Sequence, residues 1–169
     1  MQLETERLLL RQFRQDDIDA YAAMLSDEET MQYIGGTGDR MDAWIRMAAA
    51  LGHWQLRGYG LFAVEEKTSG RFIGRIGAYY PEGWPAIELG WALVPAAQGK
   101  GYATEAARSC AQWMFDELKL GEIISIIHPD NLPSIRVAER LGERLKTTWR
   151  YKEVDTLVYA MAPADLSLA

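Results

Sequence analysis

The segment Val94-Pro95-Ala96-Ala97-Gln98-Gly99-Lys100-Gly101-Tyr102-Ala103-Thr104-Glu105-Ala106 has the residue types and spacing of an anion site. Gly99 and Gly101 remove the Cβ atoms that would keep a ligand off the backbone. The helix predicted to follow opens with unpaired N–H groups and a positive partial charge, which together cradle a pyrophosphate. Lys100 adds a positive charge at the mouth. The same glycines also suit a plain tight turn into a helix. They are not the dinucleotide-binding fingerprint, and Gly101 stands where a phosphate-binding loop needs Ser or Thr.

Glu88 is the second candidate. In the run Ala86 to Val94, alternation puts Ile87, Leu89, Trp91 and Leu93 on one face and Glu88, Gly90 and Ala92 on the other. A half-buried carboxylate with room beside Gly90 is placed to take a proton through water or to position an amine. Its structural alternative is an ion pair with an Arg. Ser134, in Asn131-Leu132-Pro133-Ser134, either turns its hydroxyl into a site or caps a helix. His128 lies near the same cleft, whereas His53 reads as surface or packing. Tyr33, Trp44, Tyr79, Trp84 and Trp149 are candidates to line an acceptor site, although aromatics more often fill cores. Cys110 lies mid-helix on an apolar stripe and reads as core, not as a nucleophile.

The elements that must hold these residues follow from periodicity and punctuation. A strand is expected from Arg7 to Phe13, then a helix opened by Asp16 and Asp17 and carrying Ile18, Tyr21, Ala22 and Leu25. A second helix is expected from Glu28 to Ile34, broken by Gly35 to Gly38. Asp39 caps a third, with Met41, Trp44, Ile45, Ala48, Leu51 and Trp54 as its apolar face. A hairpin follows, Tyr59 to Glu66 and Phe72 to Tyr80 around Lys67-Thr68-Ser69-Gly70. The long helix is expected from Gly99 to Leu118, with Ala103, Ala106, Ala107, Cys110, Trp113 and Met114 inward and Gly121 beyond its end. Ile123 to Ile127 reads as a strand covered on both faces. A helix from Leu132 to Leu141 and strands at Arg144–Tyr151 and Val154–Met161 complete an α+β fold with one central sheet. Pro163 to Ala169 reads as a short frayed tail, so a single domain is expected over 1–163, with 164–169 outside it.

With 169 residues, 49% of them hydrophobic, the chain suits one globular domain, which excludes disorder as its main state. A net charge of -6 argues against nucleic acid and is compatible with a cationic partner such as an amine. No apolar run is long enough for a membrane span, and the acidic opening is not a signal peptide. One cysteine supplies neither an internal disulfide nor a zinc site. A reduced cytoplasmic setting, no metal and no membrane partner are therefore expected.

Gln98-x-x-Gly101-x-Ala103 resembles the acyl-coenzyme-A motif of the GNAT superfamily of N-acetyltransferases. The opening Leu3-Glu4-Thr5-Glu6-Arg7-Leu8-Leu9-Leu10-Arg11, with Asp17 at the first helix, is similar to the RimJ/RimL-like branch. So is Asn131-Leu132-Pro133-Ser134-Ile135-Arg136 ahead of Leu141-Gly142. The resemblance spans nearly the whole chain in the family's order. It implies a mixed, splayed sheet of about six to seven strands flanked by helices, with pantetheine in the gap between Ala86–Val94 and Ile123–Ile127. It further implies that backbone groups of Leu93 and Val94 pair with the pantetheine amides. The N–H groups of Gln98, Gly99, Lys100, Gly101, Tyr102 and Ala103 would hold the pyrophosphate, and Asn131 would bond the pantetheine arm.

The reaction so implied is direct acetyl transfer from acetyl-CoA to a primary amine in a ternary complex. The acceptor is a peptide or protein N-terminus, or a small amine such as a polyamine, amino acid or antibiotic. Such a reaction needs a neutral amine and a stabilised leaving thiolate. Glu88 is the candidate for the first task. Many members place a Tyr acid seven residues after the Asn, but Ala138 stands there, and Ser134 is the replacement that the branch suggests. The family often has Gly-Phe where Gly142-Glu143 stands, which makes local packing there different. A non-catalytic acyl-CoA-binding or sensor domain is the rival reading, and a homodimer through the terminal strands is a further expectation.

Overall fold

The structure, a computed structural model, describes residues 1–167. Its strands are β1 (Gln2–Glu4), β2 (Leu8–Arg11), β3 (Leu61–Glu66), β4 (Arg71–Tyr79), β5 (Glu88–Leu93), β6 (Ile123–Ile127), β7 (Arg144–Tyr151) and β8 (Val154–Met161). Its α-helices are α1 (Ile18–Ser26), α2 (Glu28–Met31), α3 (Arg40–Arg57), α4 (Tyr102–Glu117) and α5 (Leu132–Leu141). The strands form one mixed sheet in the order β1-β2-β3-β4-β5-β6-β8-β7. All neighbours are antiparallel except β5 and β6. Those two meet in register at Glu88 and Ile124, where Ile124 N–H donates to Ile87 O at 3.3 Å. This one parallel junction is the splay on which the site is built.

Each face of the sheet carries its own core. On one, Ala106, Ala107, Cys110 and Met114 of α4 bury against Ile76, Ala78, Leu89 and Leu93. On the other, Tyr21, Met24 and Leu25 of α1 and Ala43, Met47 and Ala50 of α3 bury with Leu61, Ala63 and Ala92. The alternation in β5 thus sends Leu89 and Leu93 to α4 and Ala92 to the α1/α3 side.

Several boundaries differ from the sequence expectation. The sheet has eight strands, because Gln2–Glu4 folds back on β2 as an edge. The expected strand Arg7 to Phe13 narrows to Leu8–Arg11, with Phe13 turning into the α1/α3 core. α4 begins at Tyr102 and not Gly99, because Gly101 at φ +81° cannot continue a right-handed helix. α3 is rotated from its expected apolar face, of which Trp54 alone among the large side chains turns inward. Ala43, Met47, Ala50 and Trp54 are buried, whereas Met41, Trp44, Ile45 and Leu51 are exposed. Ala43 and Ala50 allow close approach to α1, Met47 fills the same core, and Met41, Trp44, Ile45 and Leu51 are left to solvent. The tail is not frayed over 163–167. Leu166 is buried, Ser167 N–H donates to Leu141 O at 2.9 Å, and a Cβ on Gly142 would stand 2.0 Å from Asp165 O. Residues 168 and 169 lie outside the described residues.

Candidate active site

The glycine-flanked loop sits where β5 hands over to α4. Gln98 Nε2 donates to Leu93 O at 3.0 Å, which ties the loop back to the strand end. Val94 N–H donates to Ile73 O, and Val94 O accepts from Ala97 N–H. Glu105 N–H bonds Gly101 O, so the N–H groups of Tyr102, Ala103 and Thr104 precede the first closed turn of α4. A Cβ built on Gly99 meets nothing within 4 Å, and one on Gly101 meets Arg7 Nη2 alone, at 3.5 Å. Open space in front of orphan N–H groups fits a pyrophosphate.

The loop is clamped from the N-terminal segment, a link the sequence did not reveal. Thr5 Oγ1, Arg7 N and Arg7 Nε donate to the Glu105 carboxylate at 2.5, 2.9 and 2.6 Å. Arg7 Nη1 also donates to Lys100 O at 3.0 Å, and its guanidinium lies 4.5 Å from the centre of the Tyr102 ring. Burial works to raise the Glu105 carboxyl, but these hydrogen bonds and the Arg7 charge hold it below its ordinary value. Arg7 therefore joins Lys100 as a cation at the mouth. The Tyr102 side chain turns away into the core and donates to Glu66 Oε1 at 2.6 Å.

A cavity of about 650 Å³ opens along the splay. Its wall joins Glu88, Tyr33, Tyr79, Trp84, His128, Asn131 and Ser134, which lie far apart in the chain. Trp44 is 55% exposed on the outer face of α3 and takes no part in this wall. Trp149 is also outside it but packs edge-on against Trp84 and stacks on Tyr151, which is in the wall. His128 stacks on Tyr33 at 4.8 Å.

Glu88 forms no ion pair with an Arg among the described residues. Its Oε2 accepts from Trp84 Nε1 at 2.6 Å and its Oε1 faces Ile126 N at 3.4 Å. Burial pushes its carboxyl up to about 7, against the pull of those two donors and of Arg75. A carboxyl poised near neutrality is suited to proton transfer. Asn131, not Ser134, caps α5, since Asn131 Oδ1 accepts from Ser134 N–H at 3.2 Å. Helix capping therefore does not occupy the Ser134 hydroxyl.

Sequence reasoning passed over several wall residues. His53, expected to be surface or packing, lines the cavity, with Nδ1 2.7 Å from Tyr59 O and Nε2 accepting from Tyr80 N–H at 3.1 Å. These bonds fix the proton on Nδ1 and occupy both nitrogens. Ser125 stands at the splay, with Oγ 2.9 Å from both Leu89 O and Glu143 Oε1. One hydroxyl proton cannot serve two acceptors, so a protonated Glu143 donates to Ser125, which donates to Leu89 O. Burial, with the nearby Glu88 charge, pushes Glu143 up to about 8, consistent with this chain. Glu143 thus fills the position where a Phe was the family's habit. The signal for it was an acid directly after a helix-ending glycine. Among the described residues no group of three or more His, Cys, Asp or Glu is placed to hold a metal.

Comparison with known proteins matches residues 7–144 to the acetyltransferase (GNAT) domain. The chain is 34% identical over 145 residues to an uncharacterized N-acetyltransferase, YnaD, of Bacillus subtilis, covering 85% of this chain and 83% of the relative. It is 33% identical to a solved acetyltransferase from Agrobacterium tumefaciens, with a TM-score of 0.87 over 95% of this chain and 94% of that one. At the level of fold, at 16% identity and a TM-score of 0.80, it covers 98% of the solved ribosomal L7/L12 alpha-N-protein acetyltransferase RimL in complex with coenzyme A, over 96% of its own length. The glycine-flanked mouth, the single parallel junction and these likenesses agree, and the chain belongs to the GNAT acetyltransferases.

Proposed function

We propose that the protein transfers an acetyl group from acetyl-CoA to a primary amine, a small amine or a peptide N-terminus, by direct attack in a ternary complex. The observation that carries this reading is the cavity that brings Glu88, Asn131 and Ser134 to one wall beside the splay. RimL, of the same fold, holds coenzyme A, and the open N–H cradle of Gly99 to Ala103 suits its pyrophosphate. When bound, acetyl-CoA supplies the acetyl thioester. The Leu93 and Val94 carbonyls, each with a lone pair left beside the Gln98 and Ala97 donors, accept from its extended arm as an added strand's partner would, and the Asn131 amide nitrogen, on the side away from the helix cap, donates to the same arm. Glu88 accepts the amine proton as the C–N bond forms and the C–S bond breaks. The Ser134 hydroxyl hydrogen-bonds the departing sulfur, and a weak acid suffices for that. Tyr33, Tyr79, Trp84 and His128 surround the acceptor.

The RimJ/RimL-like branch and a cytoplasmic setting belong to the same reading. Among the described residues, no helix is long and apolar enough to cross a membrane. The exposed edge strand β7 supports a homodimer through the terminal strands.

The test is thiol release from acetyl-CoA with a panel of amines and peptides. Steady turnover with an N-acetylated product is expected, and tight cofactor binding without release would sink the reading in favour of a sensor. Ser134→Ala should lower kcat about tenfold with little change in acetyl-CoA affinity. An unchanged kcat would remove Ser134 from the chemistry.

A further inference from the structure

The charges inside the acceptor cavity oppose the sign of the whole chain. The protein carries a net charge of -6, yet the cavity wall holds Arg46, Arg75 and Lys152 against one carboxylate, Glu88. Arg75 is the unusual member. It stands on β4 opposite Ala92, on the sheet face covered by α1 and α3, away from the face on which α4 packs. Tyr79, on the same face, lies opposite Glu88, so Arg75 and Glu88 occupy different depths of one strip of sheet. Arg75 Nε is buried and has no hydrogen-bond partner, and the guanidinium forms no ion pair among the described residues. By contrast Arg11 is buried and doubly paired, with Asp17 and Glu65. A guanidinium whose Nε is desolvated and unpaired, on a half-buried side chain in the cavity wall, is an incomplete arrangement.

Resting on the transferase reading above, we propose that Arg75 binds the carboxylate of the acceptor, which is a small amino acid or related amino-carboxylate with an aromatic or otherwise apolar body. The amine end lies at Glu88 and the carboxylate at the Arg75 fork. The body packs among Tyr33, Tyr79, Trp84 and Tyr151, which a cavity of about 650 Å³ accommodates. A polyamine or aminoglycoside would bring further cations against Arg46, Arg75 and Lys152, and is disfavoured. The pyrophosphate does not compete for Arg75, because its cradle lies at the mouth of α4 beside Arg7 and Lys100.

The test compares L-amino acids with their amides and decarboxylated amines, phenylalanine against phenylalaninamide and phenethylamine for example, with spermidine alongside. Thiol release and calorimetric binding to the coenzyme-A-loaded protein are both read. The carboxylate should raise kcat/KM roughly 10- to 100-fold, the worth of a charge-assisted hydrogen-bonded pair. In Arg75→Leu that ratio should fall to near one with the KM for acetyl-CoA unmoved. Arg75→Lys, which keeps the charge without the fork, should restore part of it. Arg75→Gln stands in if the leucine variant fails to fold. Equal rates with and without the carboxylate, a preference for spermidine, or a ratio that survives in Arg75→Leu would overturn the proposal and leave the transferase intact. Arg75-dependent binding of amino acids without thiol release would support the anion site and remove the transferase reading. Neither binding nor release would remove both.

Discussion

Glu88 shows how far a residue's chemistry depends on its surroundings. Its position on the small-residue face of a strand is a matter of alternation, legible in Glu88, Gly90 and Ala92. Its carboxyl at about 7 is not legible, because that value comes from burial between elements far apart in the chain, which outweighs the donors Trp84 and Ile126 and the Arg75 charge. The sign of the pH effect follows. Below about 7 the carboxyl is protonated and cannot accept the amine proton, and above it the base is present. The parent kcat/KM should therefore rise through about pH 7 as well as with the acceptor's own ionisation. Glu88→Gln should abolish the limb near 7 and lower the rate by about 10²-fold or more below the amine pKa. At high pH the free amine needs no base, and the variant should approach the parent. Full pH–rate profiles check this, and a uniform loss across pH would assign Glu88 to positioning.

At the scale of elements, the opening strands and the α4 mouth act as one unit. Thr5 and Arg7 hold Glu105, and Arg7 also bonds Lys100 O, so the Gly99–Tyr102 loop has its shape before any ligand arrives. Glu105→Ala should lose about 1–2 kcal/mol, a fall in Tm of roughly 3–6 °C, because Arg7 is part-exposed and its pairing is screened. Acetyl-CoA affinity should fall several-fold with it. Gly101→Val forces a β-branched residue to φ +81° and fills the mouth, so affinity should drop at least about tenfold. Lys100→Ala should matter less, since backbone N–H groups form most of the cradle. Calorimetric titration and thermal melts of the three variants decide the order, and unchanged affinity in Gly101→Val would remove the loop from cofactor binding.

Across the whole molecule, two acids held above their ordinary range shape stability against pH. Glu88 and Glu143 bind protons more tightly in the folded state, so the fold takes up protons between about pH 4.5 and 8. Their contribution is complete below the unfolded carboxylate range and is lost as pH rises through about 7 and 8. Glu143→Gln keeps a donor to Ser125 without a charge. It should flatten the fall in Tm between pH 5 and 8, with a gain on the order of 1 kcal/mol at pH 8. A parallel pH profile in parent and variant would show that Glu143 is not the titrating group. Burial also pushes the Cys110 thiol up, within the core against α4's sheet face. Cys110→Ala should therefore remain active, initial-rate lines should intersect, and intact mass spectrometry should find no acetylated enzyme.

By itself the sequence determined the α+β class, the order of the elements that follow the β1 edge, the glycine-flanked helix mouth and the family. Each of these rests on local pattern: alternation in β5, glycine punctuation at Gly99 and Gly101, apolar period along α4. The tertiary structure decided what local pattern cannot carry. α3 turned Ala43, Met47, Ala50 and Trp54 inward and left Trp44 outside, because the partners that α1 and the sheet present, and not the count of apolar residues on a face, set the helix's rotation. Glu105 met Thr5 and Arg7 across about a hundred positions of chain. Arg75, Tyr151 and Ser125 entered the cavity wall through strand register, which periodicity within one strand does not specify. The charge of a buried carboxyl, at Glu88 and Glu143 alike, depends on which neighbours long-range pairing brings to it, and so belongs to the fold and not to the chain.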